Sequence, residues 1–189
     1  MRPTRRQLAV IAVTAVRVPL AAGAAALLVI AAPGGLAAWA AVALLLAVEA
    51  SDLLDGFLAR RFGVVSRLGE LLDPYCDSVS RLIVYFGLAA AGVSPWGLLL
   101  VLALRDVSVA YVRIVCVTTG RRVAARASGK LKAIIQGTAA VLLAASLAVP
   151  ALASATWIGD ARLAVVWLVG AVTLWSLVDY FIAAVRPRR

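Results

Sequence analysis

Six apolar segments of membrane-spanning length follow one another along the chain, and they constrain its fold more than any other feature. They occupy about residues 8–31, 36–60, 71–92, 96–118, 131–152 and 162–185. Each can cross a hydrocarbon layer about 30 Å thick as an α-helix, whereas strands would be far shorter and would alternate polar with apolar residues. The segments predict an all-α integral membrane protein with six transmembrane helices, folded as a single domain over residues 1–189.

Positive charge is distributed unequally between the breaks that separate these segments. Lys and Arg are concentrated at both termini and in the breaks after the second and fourth segments, while the other three breaks contain none. Because positively charged loops stay in the cytoplasm, both termini are predicted to be cytoplasmic. Trp39, Trp96 and Trp157 lie near predicted span ends, which is typical of a membrane interface. Arg17, eleven residues past Arg6, lies too deep in the first segment for simple anchoring.

Composition excludes several classes of function. The formal net charge of +10 would suit nucleic acid, but 64% hydrophobic residues do not, so an anionic membrane face is the predicted partner and nucleic acid is not. The absence of histidine excludes Ser-His-Asp triads and histidine-based zinc sites, which leaves carboxylates to carry any chemistry. Cys76 and Cys116 lack metal-site or disulfide spacing and are predicted to be small packing residues.

Acidic residues cluster around the second cytoplasmic break. Six of the nine fall within 29 residues: Glu49, Asp52, Asp55, Glu70, Asp73 and Asp77. Asp52 and Asp55 share one face of a predicted helix, and Asp73 and Asp77 share one face of the next. An antiparallel pair of helices can therefore bring four carboxylates together, and their repulsion needs a cation. Ligands that are all oxygen select a hard divalent ion, so one or two Mg²⁺ or Mn²⁺ ions are predicted.

The same stretch has two structural interpretations that the sequence leaves open. Gly56, Ala59 and Gly69 leave room for a ligand, but small residues at this spacing are equally typical of close helix packing. The acids, in turn, have nearby arginines as potential ion-pair partners. Those arginines are Arg60, Arg61, Arg67 and Arg81.

The spacing of the acidic and small residues resembles a known signature. Residues 52–60, an eight-residue gap and residues 69–77 match, without departure, the pattern D-x-x-D-G-x-x-A-R-x8-G-x-x-x-D-x-x-x-D. This is the signature of the CDP-alcohol phosphotransferase, or CDP-alcohol phosphatidyltransferase, family. The resemblance implies a six-helix membrane enzyme, usually a homodimer. Such an enzyme cleaves the pyrophosphate of a CDP-linked donor, transfers the phosphoryl-alcohol part to an acceptor hydroxyl and releases CMP.

The resemblance also implies roles for the residues of the signature. Two metal ions would be bound by Asp52, Asp55, Asp73 and Asp77. Asp77 would in addition act catalytically by accepting the proton of the acceptor hydroxyl. The CDP part of the donor would be framed by Asp52, Gly56, Ala59, Arg60 and Gly69.

Basic residues beyond the signature are similar to those of bacterial phosphatidylglycerophosphate synthases. The similarity covers the Arg105-Asp106 pair, Arg113 and residues 128–136, with Asp106 where Glu is usual and Ala133 where Thr is usual. It implies a bacterial inner or cell membrane with the active site facing the cytoplasm.

Cations on the fourth and fifth predicted helices suit an acceptor that already carries a phosphate. The predicted acceptor contacts are Arg105, Arg113 and Lys130. The alternative is that Lys130 and Lys132 only anchor the chain at the membrane surface.

The function predicted from these features is transfer of a phosphatidyl group from CDP-diacylglycerol to glycerol 3-phosphate. Inositol phosphate, serine or phosphatidylglycerol are alternative acceptors for the same chemistry. A divalent-cation transporter is an alternative of a different class, since acids in membrane helices also mark ion paths. The Gly-x-x-Ala-Arg segment argues against it, because nucleotide handling requires that segment and a cation path does not. A non-catalytic relative is disfavoured because all four aspartates are retained.

Overall fold

The computed structural model describes the backbone of residues 5–62, 67–119 and 127–185, and the side chains of residues 11, 12, 14–51, 54, 72–119 and 127–185. Within these ranges the chain forms seven α-helices and no strand. The helices are α1 Arg5–Ile30, α2 Leu36–Phe62, α3 Arg67–Ala90, α4 Trp96–Thr118, α5 Ala127–Ala148, α6 Pro150–Ala153 and α7 Ile158–Val185.

The predicted all-α class is confirmed, and six of the helices match the six apolar segments closely. Helices α3, α5 and α7 each begin four residues before the predicted segment. The fifth segment also differs at its end, because it was predicted to continue to residue 152. Helix α5 instead ends at Ala148, and Pro150 begins the separate short helix α6. Proline has no amide hydrogen to continue the α5 ladder, but its fixed φ suits the first position of a new helix.

Two described helices, α5 and α7, are long and apolar enough to cross a membrane. Thr14–Ile30 and Leu36–Ser51 are shorter apolar stretches within α1 and α2. In α4 the apolar run is interrupted by charged residues, among them Arg105 and Asp106. The structure thus supports a membrane protein, and the number of six spans stays a prediction.

The described part of the chain has an apolar core, but its exposed surface and its buried charges differ from those of a water-soluble protein. Large apolar side chains such as Trp167, Trp175 and Phe181 on α7 are about half exposed or more. Charged side chains such as Arg105 and Lys132 are buried between helices. Lipid is the solvent that makes this distribution favourable, because it accepts apolar surface and excludes charge.

The packing of α1 against α3 is what positions the acidic site. Helix α1 lies against both α2 and α3, while α7 packs on α4 and α5. At the closest approach of α1 and α3, a Cβ atom added to Gly87 would lie 2.6 Å from the Cα of Ala25. Glycine at this position therefore lets the two backbones approach closely. The contact brings the first half of α3, with its aspartates, alongside the middle of α1.

Candidate functional site

Asp73 and Asp77 are the two predicted metal ligands whose side chains the structure describes. They lie one turn apart on α3, with side chains 54% and 42% exposed. The four-residue spacing places them on one face of the helix, as predicted. Both carboxylates are thus accessible from outside α3, as a ligand site requires.

Helix α1 supplies a cation to these carboxylates. The Arg17 side chain is 2% exposed, and its Nη1 donates a hydrogen bond to Oδ1 of Asp77. The same nitrogen lies 4.0 Å from Oδ1 of Asp73. Both aspartates therefore converge on one buried guanidinium. The depth of Arg17 in the first segment marked it as unusual, but its partners depend on the packing of α1 on α3.

The chemistry of the described donors fits a divalent metal ion. Two carboxylates whose oxygens converge on a single cation are suitable hard ligands for Mg²⁺ or Mn²⁺. Among the side chains that are described, no group of three or more His, Cys, Asp or Glu could hold a metal ion by itself. The backbone of Asp52 and Asp55 lies in α2, but the structure does not describe their side chains. A site of four aspartates therefore stays a prediction.

The predicted donor-binding residues also have side chains outside the described part of the chain. Asp52, Gly56, Ala59 and Arg60 fall in the last turns of α2, and Gly69 falls in the first turn of α3. Their helical backbone agrees with the placement of the signature at the ends of two successive helices. Their role in holding the CDP moiety is untested.

A small pocket with a mixed lining of charged and apolar side chains lies beside Asp77 between α1, α2, α3 and α5. Its charged lining comprises Arg17, Glu49, Asp77 and Arg81. Arg81 Nη1 donates to Oε1 of Glu49 at 3.2 Å. A Cβ atom at Gly137 on α5 would overlap the Glu49 carboxylate, so the glycine makes room for this pair.

The sequence left open that the acidic residues form ion pairs with nearby arginines, and the pair of Arg81 and Glu49 is one such case. Arg81 pairs with Glu49, which supports a structural role for that acid. Arg17, which had not been predicted as a partner, pairs with Asp77. The side chains of Arg60, Arg61 and Arg67 lie outside the described residues.

Arg105, a predicted acceptor contact, lies in a buried polar cluster between α4, α5 and α7. Its Nη1 donates to Oδ1 of Asp106 at 2.8 Å, and its Nη2 donates to Oγ of Ser176 at 2.9 Å. The same Asp106 oxygen accepts from Nζ of Lys132 at 2.9 Å. Lys132 is therefore the α5 cation that joins Arg105 through Asp106. The Lys130 side chain is exposed.

Tyr180 on α7 lies between two of the predicted acceptor contacts. The guanidinium carbon of Arg105 is 5.3 Å from the centre of the Tyr180 ring, and that of Arg113 is 5.5 Å from it. Arg113 Nη2 also donates to the Tyr180 hydroxyl at 3.0 Å. The structure thus brings Arg105 and Arg113 together around one aromatic side chain.

The sequence analysis had not singled out Tyr180 or Ser176. Thr173, Ser176 and Tyr180 recur at spacings of three and four residues on an otherwise apolar helix, and all three are buried. Polar residues at helical spacing within an apolar span are therefore a signal that could have found this cluster.

Comparison with known proteins agrees with the signature. The sequence model of the CDP-alcohol phosphatidyltransferase family matches residues 8–179. The CDP-diacylglycerol–glycerol-3-phosphate 3-phosphatidyltransferase of Escherichia coli K12 is 33% identical over 150 residues, which cover 76% of this chain and 78% of that protein. A probable phosphatidylglycerophosphate synthase of Mycobacterium tuberculosis is 28% identical over 136 residues, or 72% of this chain and 61% of that protein.

A shorter match is found to the CDP-diacylglycerol–glycerol-3-phosphate 3-phosphatidyltransferase of Treponema pallidum. It is 33% identical over 93 residues, which cover 49% of this chain and 43% of that protein. The chain thus spans less than two thirds of the Treponema and Mycobacterium relatives. The family match, however, runs from α1 to the last turns of α7. It includes the signature aspartates of α2 and α3 and the basic residues of α4 and α5. The chain belongs to the CDP-alcohol phosphatidyltransferase family.

Proposed function

We propose that the protein transfers a phosphatidyl group from CDP-diacylglycerol to glycerol 3-phosphate, forming phosphatidylglycerophosphate and releasing CMP. The observation that carries the proposal is the convergence of Asp73 and Asp77, the last two aspartates of the family signature, on one accessible face of α3. The names of the Escherichia coli and Treponema pallidum relatives support glycerol 3-phosphate as the acceptor.

In the reaction, the acceptor oxygen forms a bond to the phosphorus of the phosphatidyl group. The bond from that phosphorus to the phosphate oxygen of CMP breaks, and Asp77 accepts the hydroxyl proton. Arg60 would offer charge-assisted hydrogen bonds to the pyrophosphate, while the small Gly56, Ala59 and Gly69 would leave space for the CDP moiety.

Two Mg²⁺ or Mn²⁺ ions would be held by the aspartates of both helices, which are Asp52, Asp55, Asp73 and Asp77. When bound, such ions neutralise the charge that builds up on the pyrophosphate oxygens. The protein would contribute carboxylates from both α2 and α3 to hold these ions.

The phosphate of the acceptor would bind on the side of α4 and α5, at Arg105, Arg113 and Lys130. Arg105 and Arg113 are already oriented by Tyr180, so little side-chain freedom is lost when the phosphate binds. Arg105 Nε is buried and makes no hydrogen bond within the described part of the chain, which leaves one donor for a ligand. These features favour a dianionic acceptor over serine.

The proposed setting is a bacterial inner or cell membrane, with CDP-diacylglycerol entering from the lipid and a single domain over residues 1–189. Six spans, cytoplasmic termini and a cytoplasmic active site follow from the distribution of Lys and Arg. A homodimer is proposed from the family resemblance.

Purified protein supplied with CDP-diacylglycerol, Mg²⁺ and one acceptor at a time tests the proposal. CMP release is expected with glycerol 3-phosphate and not with inositol phosphate, serine or phosphatidylglycerol. Release with another acceptor alone would reassign the substrate, and no release with any of them would refute the enzyme. In the second case, Mn²⁺ uptake into proteoliposomes would test the transporter.

A further inference from the structure

Arg17 carries a full positive charge in the interior of the helix bundle. It lies in the middle of α1, its side chain is 2% exposed, and buried Thr14 and Ala21 lie one turn before and after it. A buried guanidinium is strongly unfavourable without an anionic partner. Asp77 is an anionic partner of Arg17, and the Asp73 carboxylate lies 4.0 Å from the same nitrogen.

The two aspartates of α3, in turn, need a cation to offset their negative charges. Asp73 and Asp77 lie one turn apart, and two ionised carboxylates that converge on one point repel each other. A cation from the solvent could leave them, but Arg17 is fixed by the packing of α1 on α3. Its charge therefore stays at the site whether or not a metal ion is bound.

We propose that Arg17 is a built-in counter-cation and positioning residue for the two α3 carboxylates. It holds Asp73 and Asp77 together when no metal is bound, and its fixed charge weakens their affinity for divalent ions. This inference rests on the metal site proposed above. It makes metal binding readily reversible and lets the protein stay folded between metal-bound states.

The charge of Arg17 should raise the stability of the metal-free protein and lower its affinity for metal. These opposite effects distinguish a role of the charge from a role in packing alone. Removing the charge should destabilise the metal-free protein, because the aspartates lose their compensation. The same change should strengthen metal binding, because a fixed positive charge no longer repels the incoming ion. A residue needed only for packing would lower stability without raising metal affinity.

The test is Mn²⁺ titration of purified wild type and Arg17→Gln by electron paramagnetic resonance, with thermal unfolding in EDTA and in saturating Mn²⁺. Arg17→Gln is expected to bind Mn²⁺ roughly tenfold more tightly, the effect of one nearby charge at partial screening. Its Tm in EDTA should fall, and Mn²⁺ should raise its Tm by more than it raises that of wild type. Arg17→Lys keeps the charge and should stay close to wild type in Mn²⁺ affinity.

Arg162→Gln is the matched control. Arg162 is also partly buried, but it donates to Oγ of Ser146 at 2.8 Å and to the Ser146 carbonyl at 3.1 Å, not to an acid of the site. Its loss should lower Tm and leave Mn²⁺ affinity unchanged.

Unchanged or weaker Mn²⁺ binding by folded Arg17→Gln would overturn the inference and leave the proposed function standing. Wild type that binds no Mn²⁺ would overturn the metal site together with the inference. If Arg17→Gln is unfolded in EDTA, recovery of a folded, monodisperse protein in Mn²⁺ supports the inference, since the metal replaces the missing charge. A variant that stays unfolded in Mn²⁺ overturns it.

Discussion

Tyr180 is a single side chain that contacts two cations from another helix. Its ring faces Arg105, its hydroxyl accepts a hydrogen bond from Arg113, and it is 2% exposed. The attraction between a guanidinium and an aromatic ring contributes about 0.5–2 kcal/mol, and it is strongest where the pair is shielded from water. Tyr180 therefore fixes where the two positive charges lie relative to each other.

We expect Tyr180→Phe to raise KM for glycerol 3-phosphate by roughly three- to tenfold, because the hydrogen bond that orients Arg113 is lost. The kcat and the KM for CDP-diacylglycerol should change little. Tyr180→Leu, which also removes the ring, should raise the acceptor KM further and lower Tm. Steady-state kinetics with each substrate varied separately makes the measurement. An acceptor KM at the wild-type value in both variants would mean that Tyr180 only packs α7 against α4.

Asp77 combines a structural contact with the proposed chemistry. Asp77→Asn removes the proposed proton acceptor, so CMP release should fall by about a hundredfold or more. Affinity for CDP-diacylglycerol should be largely kept, because the other three aspartates can still hold a metal. Stability should fall as well, since Arg17 loses the charge of its partner.

The control for Asp77→Asn is Asp160→Asn, which neutralises an exposed carboxylate in the first turn of α7. That variant should keep the wild-type rate. Asp55→Asn, by contrast, should abolish turnover as Asp77→Asn does. A loss of donor affinity as large as the loss of rate in Asp77→Asn would argue against its role as proton acceptor.

Sequence was sufficient to predict the residues whose spacing is local. Asp73 and Asp77 lie four residues apart, so helical periodicity alone places them on one face. The pairing of Arg17 with Asp77 joins residues 60 positions apart, and no local pattern contains it. The polar spacing of Thr173, Ser176 and Tyr180 was a local signal for Tyr180, but its partners Arg105 and Arg113 lie more than 60 residues before it and only the structure identifies them.

Helix α3 depends on α1 for its position, and Gly87 is where this dependence can be tested. A methyl group at Gly87 would lie 2.6 Å from the backbone Cα of Ala25, so the helices would have to separate. We expect Gly87→Ala to destabilise the protein by about 1–3 kcal/mol, the usual cost of overpacking. Activity should fall too, because the separation displaces Asp77 from Arg17.

Gly97→Ala on α4 is the matched control, since nothing lies within 4 Å of its Cβ position. It should be neutral, or stabilising by up to about 1 kcal/mol through helix propensity. Thermal unfolding of both variants in the same detergent gives the comparison. Equal Tm values for the two alanine variants would show that α1 and α3 tolerate a wider separation.

Most helix ends lie within two residues of the predicted segment ends, but α3, α5 and α7 each begin four residues earlier than predicted, because a helix can continue through polar residues outside the apolar run. The end of α5 was also wrong, since Ala151 and Leu152 are apolar and extended the predicted segment past Pro150. The backbone restriction of a single proline decided the boundary there, and hydrophobicity did not report it. Which helices contact each other was beyond the sequence, because apolar residues on α4, α5 and α7 can face either lipid or another helix.

At the scale of the whole molecule, the arrangement of polar and apolar residues is what a bilayer selects. The exposed aromatic side chains Trp39, Trp96 and Trp157 lie at the starts of α2 and α4 and just before α7. These helix starts belong to breaks that contain no Lys or Arg, whereas the break after α4 is strongly basic. One end of the bundle is therefore aromatic and the other basic, and the basic end is expected in the cytoplasm.

This orientation can be measured by cysteine accessibility. The two native cysteines, Cys76 and Cys116, are buried thiols that form no disulfide, so replacing both by alanine gives a background without thiols. In it, Ser154→Cys reports the aromatic end and Thr119→Cys the basic end, and both native side chains are exposed. In intact spheroplasts, a membrane-impermeant maleimide should label Ser154→Cys and leave Thr119→Cys unlabelled until lysis. The reverse pattern would place the aspartates of α3 on the outer side, where the proposed acceptor, glycerol 3-phosphate, could not reach them from the cytoplasm. Equal labelling of both sites before lysis would contradict a fixed transmembrane orientation.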